Sequence, residues 1–83
     1  MEKHKFKIGD RVRVIKIDNQ DYYCTALYKV GDVGTIEHCD YDIKYDENDY
    51  CVRFDRLKAN GEDPRWYALE SWLELEKQVM VFE

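Results

Sequence analysis

An all-β fold is predicted by three features of the chain. A phrase occurs twice, as Lys7-Ile8-Gly9-Asp10-Arg11-Val12-Arg13-Val14 and as Lys29-Val30-Gly31-Asp32-Val33-Gly34-Thr35-Ile36. In each copy a Gly-Asp turn opens into a β-branched stretch, glycine supplying backbone angles that other residues avoid. Next, Tyr50-Cys51-Val52-Arg53-Phe54-Asp55 alternates with period two, as a half-buried strand does. Elsewhere the chain is β-branched and punctuated by turn residues, which disfavours an α-rich fold.

The elements follow in order. A first strand is expected over 11–17, with Val12 and Val14 on one face and Arg11 and Arg13 on the other. Ile15 and Ile17 have the opposite parity, which predicts a bulge or strong twist near Val14-Ile15. Residues 18–30 form a long first loop carrying Tyr22, Tyr23 and Tyr28. A second strand over 33–39 is extended by 40–49, which then turns; five acids and one lysine there suit a solvated hairpin tip. In the third strand Tyr50, Val52 and Phe54 face inward and Cys51, Arg53 and Asp55 outward. Asn60-Gly61 and Asp63-Pro64 mark a loop. Trp66 to Leu69 is a fourth strand, Glu70-Ser71 a turn or one 3₁₀ step, and Trp72 to Leu75 a short fifth strand. A helix over 67–78 is the competing assignment, because Ala68, Leu69, Trp72, Leu73 and Leu75 have partial helical spacing.

Eighty-three residues imply one domain over 1–83, with a core over about 6–76 and a tail over 77–83. That is near the lower limit for an unstapled core. Seven Tyr, three Phe and two Trp compensate, since each buried aromatic removes roughly 150–250 Å² from water. No apolar run approaches the ~18–20 residues needed to span a bilayer. Met1-Glu2-Lys3-His4-Lys5 is basic but no apolar stretch follows, so no signal peptide is expected. An odd number of cysteines, Cys24, Cys39 and Cys51, fits a reducing, cytoplasmic setting in which they act as small strand hydrophobes.

Charge is unevenly distributed. Residues 1–17 carry a net +4 and residues 18–83 a net −9, within a total of −5. An acidic total argues against broad nucleic-acid affinity, which needs clustered cations.

The frame Gly-Asp-Arg-Val-Arg-Val, long loop, Val-Gly-Asp-Val-Gly-Thr-Ile, Tyr-Cys-Val-Arg-Phe-Asp and Trp-Tyr-Ala-Leu-Glu-Ser-Trp-Leu-Glu resembles the small Src-homology-3-like barrels. It is similar in particular to bacterial and phage-type small barrels and to KOW-type modules, over residues 6–76. The resemblance implies a five-stranded barrel with a short 3₁₀ turn or helix near the C-terminus. For function it implies binding of proteins, nucleic acids or peptides, without choosing among them. Ala26-Leu27-Tyr28 echoes a motif of the peptide-binding members. Lys29-Val30 departs from it, and no tandem tryptophan is present, which argues against proline-motif recognition. A small acidic solitary domain also resembles phage-encoded inhibitors of host nucleic-acid enzymes, so a phage- or bacterium-encoded modulator is one form the function takes.

Catalytic and metal chemistry find little footing. Cys24, His38, Cys39 and Cys51 lack the close paired spacing of a zinc site, and His38 and Cys39, as strand neighbours, point to opposite faces. Ser71, His4 in a terminus expected to fray, and His38 do not make a nucleophile with its base. Gly31-Asp32-Val33-Gly34 is too short for a phosphate cradle and leads into a strand. No enzyme activity, cofactor or metal is expected.

Three surfaces remain. Tyr22, Tyr23, Tyr28, Trp66, Tyr67 and Trp72 exceed what a small core needs, and Tyr and Trp are the residues most enriched at interface hot spots. Asp40, Asp42, Asp46, Glu47 and Asp49 either blunt a hairpin against edge-to-edge pairing or steer a basic partner. Lys5, Lys7, Arg11, Arg13 and Lys16, with Lys3, form a basic start. The expected function is a non-enzymatic protein-interaction module, anchored by the aromatic surface and steered by the acidic hairpin. The alternative is a nucleic-acid-binding barrel using the basic first strand with stacking tyrosines. The tail Val79-Met80-Val81-Phe82 is the candidate for an added strand, a partner contact or pairing into a homodimer.

Overall fold

In the computed structural model, which describes residues 3–18 and 27–76, the two Lys-x-Gly-Asp phrases form the same turn. Asp10 N donates to Lys7 O and Asp32 N to Lys29 O, both at 3.0 Å. Gly9 and Gly31 sit at φ +95° and +99°, as the third residue of a type II turn must. Each aspartate also closes its own turn: Lys7 N donates to Asp10 Oδ2 at 3.0 Å and Lys29 N to Asp32 Oδ2 at 2.9 Å.

Strand β1 (Arg11–Val14) leaves the first turn and β2 (Val33–Asp42) the second. They pair antiparallel about Val12↔Gly34, with Arg11 opposite Thr35 and Arg13 opposite Val33. Their ends are reciprocal. Gly9 N donates to Ile36 O and Ile36 N to Asp10 O; Gly31 N donates to Val14 O and Val14 N to Asp32 O. The repeated phrase is therefore a local twofold, in which each turn continues the ladder of the other copy's strand. The corner residues Ile8 and Val30 occupy equivalent positions and are 66% and 56% exposed.

Strand β3 (Glu47–Phe54) returns along β2 through a turn at Ile43–Asp46, where Asp46 takes φ 51° and Asp42 Oδ1 accepts from Tyr45 N at 3.1 Å. The β2–β3 register shifts between Ile36 and His38, leaving Glu37 as an extra residue. This bulge reverses the parity of β2. Ile36 stays in the core, while His38 and Asp40 turn to the outer face. Tyr50, Val52 and Phe54 are buried, as their alternation predicts.

A short helix α1 (Asp55–Ala59), absent from the sequence expectation, follows β3 and buries only Leu57. It ends in a Schellman motif: Glu62 N donates to Leu57 O and Gly61 N to Lys58 O, with Gly61 at φ 76°. Strand β4 (Arg65–Leu69) pairs with β3, one 3₁₀ turn spans Glu70–Trp72, and β5 (Leu73–Leu75) pairs with β1. The helix considered over 67–78 does not form across the part of it that the structure describes, because strand pairing on β3 and β1 overrides the local leucine and glutamate propensity. The bulge expected at Val14-Ile15 is absent as well. Ile15 N donates to Trp72 O in step with Val14↔Leu73, so Ile15 faces out, and Ile17 leans back on the core beyond the strand end.

The five strands make one antiparallel sheet in the order β4-β3-β2-β1-β5. Among the described residues the sheet is open, with β4 and β5 as its edges. Its inner face holds Val12, Val14, Ile36, Val52, Phe54 and Trp72, with Phe6 and Tyr28 packed on from the flanking segments. Tyr28 stacks on Phe54 (4.7 Å, 19°), and its hydroxyl donates to Tyr67 O at 2.8 Å. This bond occupies one edge acceptor of β4.

Helix α1 is tied to the second turn by an ion pair. Arg56 donates from Nε to Asp32 Oδ1 at 2.8 Å and from Nη2 to Asp32 Oδ2 at 2.7 Å. Asp32 is buried, and the guanidinium holds its carboxyl below the usual range against the opposing effect of burial. A carboxyl lowered on folding stabilises the fold at pH above its unfolded value of ~3.9, and the contribution is lost as pH falls through the folded value. Asp32→Asn should therefore cost about 1–3 kcal/mol at pH 7, the worth of a charge-assisted pair. The gap from wild type should begin to narrow below about pH 4 and close only as pH falls through the lower folded value. Urea unfolding at pH 7, 5, 3 and 2 measures it; an equal gap at every pH would show that the charge contributes nothing.

Candidate functional site

The bulge at Glu37 sets the geometry of the outer face. His38 lies opposite Cys51, and Cys51 opposite Tyr67, so one row crosses β2, β3 and β4. Asp40 is the next outward residue of β2. Tyr67 Oη donates to Asp40 Oδ2 at 2.9 Å, and His38 Nε2 lies 3.4 Å from the same oxygen. Burial and the Asp40 hydrogen bond push the Tyr67 hydroxyl up to about 12, so it is a donor at neutral pH. Arg53 pairs with Glu37 at 3.2 Å on the same face. One predicted aromatic, Tyr67, and one predicted acid, Asp40, thus meet directly.

The remaining aromatics do not join them in one surface. Trp72 is fully buried, and its indole Nε1 donates to Asp18 Oδ1 at 2.7 Å. Tyr28 is 5% exposed and stacked in the core. Both are corrections to the expectation of surface anchors: a small sheet with few large aliphatics fills its interior with rings. Trp66 is half-buried on the core side, opposite Val52, with Nε1 donating to Asp63 O at 2.8 Å. Tyr22 and Tyr23 lie outside the described residues.

The acids decorate the β2–β3 hairpin as expected, but several carry structural bonds. Asp42 caps the turn, Asp46 accepts from the Tyr41 hydroxyl, and Glu47 Oε1 accepts from Ser71 N at 2.6 Å. Asp49 is buried. Ile43 stands at the tip, 86% exposed, inside this acidic collar.

The basic start is largely engaged. Arg11 makes a bidentate pair with Asp55 (3.0 and 2.5 Å), and also reaches Glu76 at 3.2 Å and Thr35 at 3.0 Å. Arg13 lies 3.9 Å from Glu74 and Lys16 3.1 Å from Asp18. Folding thereby interleaves the +4 and −9 halves of the chain. Lys5 and Lys7 are exposed.

His4 is not frayed. Its Nε2–H donates to Asp40 O at 2.8 Å, and its ring meets Tyr50 edge-on at 5.5 Å. The segment around it is held by a polar node that sequence reasoning missed. Glu70 Oε2 accepts from Tyr50 Oη (2.5 Å), Lys5 N (2.8 Å) and Asn48 Nδ2 (3.3 Å). Tyr50 Oη in turn accepts from Lys5 N (3.1 Å) and Phe6 N (3.2 Å). Burial and the Glu70 carboxylate push the Tyr50 hydroxyl up, and these donors hold Glu70 low against its own burial. A tyrosine in place of phenylalanine at an inward strand position was the available signal, since a buried hydroxyl needs a partner.

Cys39 faces the core, its thiol donating to Phe6 O at 3.8 Å, while Cys51 faces out; both are free and both are pushed up by burial. Cys24 lies outside the described residues. Among the described residues no three His, Cys, Asp or Glu side chains converge as a metal site, and no helix is long and apolar enough to cross a membrane. Comparison with protein-family models, curated proteins and solved structures finds no match.

Proposed function

We propose that the chain is a small Src-homology-3-like barrel that works as a non-enzymatic protein-interaction module. Among the described residues the last strand, β5, pairs with the first, and a 3₁₀ turn stands just before it; both support the barrel. The observation that carries the function is the Tyr67–Asp40 hydrogen bond, which joins an aromatic anchor to the acidic hairpin on the outer face of β2, β3 and β4. A basic partner is drawn by the hairpin carboxylates and seats against Tyr67 and Ile43. Such steering speeds encounter and weakens with salt. The ion pairs of Arg11 and Arg13 on β1, and of Lys16 just beyond it, leave the nucleic-acid alternative with little free cation there.

The test is capture from lysate of the source cell, with and without nuclease, using wild type, Tyr67→Ala and the double variant Asp42→Asn, Asp46→Asn. Asparagine keeps the turn contacts and removes charge. The expected result is one stoichiometric protein that resists nuclease, is lost with Tyr67→Ala and is reduced severalfold with the double variant at low salt. Captured material that disappears with nuclease would sink this reading and return the function to nucleic acid.

A further inference from the structure

We propose, building on the protein-interaction reading, that the outer face of the sheet docks an extended partner segment of mixed charge. Its basic side chain meets Asp40, an apolar side chain two residues on meets Tyr67, and a carboxylate two residues further meets Arg53 and Arg65.

Arg53 on β3 and Arg65 on β4 stand directly opposite one another. One position along the same ladder, Phe54 N donates to Pro64 O at 2.8 Å. Bonded and non-bonded pairs alternate in an antiparallel ladder, so the two arginines form a non-bonded pair, the kind whose side chains approach most closely. Like charges directly opposite destabilise a sheet. Both arginines point outward, since Val52 and Phe54 take the core side of β3. Glu37, at the bulge, relieves Arg53 at 3.2 Å. Arg65 is exposed, and among the described residues its guanidinium has no hydrogen bond or ion pair. Asp63 Oδ1 accepts from the backbone N of Arg65 at 3.2 Å and leaves the guanidinium unpaired. Two guanidiniums thus share one carboxylate. A second carboxylate completes the set, because arginine takes this group through two parallel N–H···O bonds.

The same face is negative at its other end. Asp40 lies opposite Asp49, which is four residues from Arg53 along β3. At the antiparallel rise the two ends are roughly 13–14 Å apart, with the His38–Cys51–Tyr67 row midway. Burial pushes the Cys51 thiol up, Glu37, Asp40 and Asp63 push it further and Arg65 opposes them, so this middle row feels both ends. Asp40 accepts from Tyr67 Oη yet keeps its side chain 44% exposed, open to a basic group. An extended chain presents residues i, i+2 and i+4 on one face at this same spacing. A helix repeats its face at about 5.4 Å and falls out of step. A uniformly basic segment would place a cation on Arg65, so charge complementarity selects the mixed one.

The probes are three blocked peptides: acetyl-Lys-Ser-Leu-Ser-Glu-amide, and its counterparts with lysine or with glutamate at both charged positions. Binding to the full chain is read from the Tyr67 backbone amide and the Arg65 Nε–H resonances. The mixed peptide should bind saturably at about millimolar concentration, and each uniform peptide at least about threefold more weakly. Arg65→Gln should bind the mixed peptide no better than the all-lysine one. Its urea midpoint should rise, because the like-charge pair is gone.

Equal binding of the all-lysine peptide, equal or tighter binding of the all-glutamate peptide, or no saturable response to any peptide would each overturn the proposal. So would a lowered urea midpoint for Arg65→Gln, which would make Arg65 a structural residue. In the capture experiment, wild-type yield with Arg65→Gln would sink this proposal and leave the protein-interaction reading standing. Captured material that disappears with nuclease would sink both, so the two failures are distinguishable.

Discussion

Gly34→Ala should destabilise the domain by about 3 kcal/mol, at the upper end of what overpacking costs. A Cβ at Gly34 would stand 2.4 Å from Arg53 O, 2.7 Å from Val52 Cγ1 and 2.9 Å from Arg53 C. Two of these atoms are backbone and cannot swing aside. The residue is paired on both sides, to Val12 on β1 and Phe54 on β3, so neither strand can retreat without breaking a ladder. Gly9 and Gly31 are different, because nothing lies within 4 Å of an added Cβ at either position. Their requirement is the positive φ alone, worth about 1–2 kcal/mol for alanine. The local twofold predicts that Gly9→Ala and Gly31→Ala cost the same within error, and that both cost less than Gly34→Ala. Urea unfolding of the three variants tests the order. At about 4–8 °C per kcal/mol for a domain of this size, Gly34→Ala should be visible in a thermal melt alone. A mild Gly34→Ala would mean that β2 and β3 are not so closely apposed at this point.

The glycines also show what could be read without a structure. The repeated Lys-x-Gly-Asp phrase announced two turns, and both formed with the same hydrogen bonds. Their mutual pairing was not legible, because it depends on which strands meet in space. Gly34 fills the position of Val12 in the repeat, and this mismatch was the visible hint that one copy meets a neighbour that the other does not. The alternation of Tyr50, Val52 and Phe54 gave the third strand its inward face. Helix α1 escaped because five residues with one buried leucine have no period to detect, although Asn60-Gly61 carried the stop signal of a Schellman cap. The bulge at Glu37 was invisible for a related reason: residues 33–42 alternate acceptably in either parity, and only pairing with β3 fixes which of His38 and Cys39 faces out.

Parity explains the candidate site too. The acidic hairpin was legible as a run of charges, since a solvated tip needs no tertiary information. The aromatic set was not, because excess rings say only that some are exposed, not which. Tyr67 reaches the outer face because it shares a row with Cys51 and His38, while Trp66, one residue earlier, lies on the core side. The polar node is a third case. Asn48, Tyr50 and Glu70 converge from β3 and the 3₁₀ turn onto a segment more than forty residues away from β3, and no local pattern records that distance.

Trp72→Ala should cost about 3–5 kcal/mol, the usual range for deleting a buried tryptophan. That is a large part of the roughly 4–12 kcal/mol expected for a chain of this length, so the variant should unfold at a markedly lower temperature and urea concentration. Trp72 is the largest fully buried side chain among the described residues, and its carbonyl accepts from Ile15 N, so the 3₁₀ turn seats it and β1 holds it there. Trp72→Phe separates volume from hydrogen bonding. Asp18 is exposed, so water replaces the indole N–H, and the phenylalanine variant should lose less than half as much. Fluorescence decides between this core role and the surface anchor suggested by composition. In a Trp66→Phe background Trp72 is the sole tryptophan and is excited selectively at the red edge of the absorption band. Its emission should be blue-shifted and resistant to iodide until urea unfolds the chain. Ready quenching in the native state would place the ring on the surface and restore it to the interaction face.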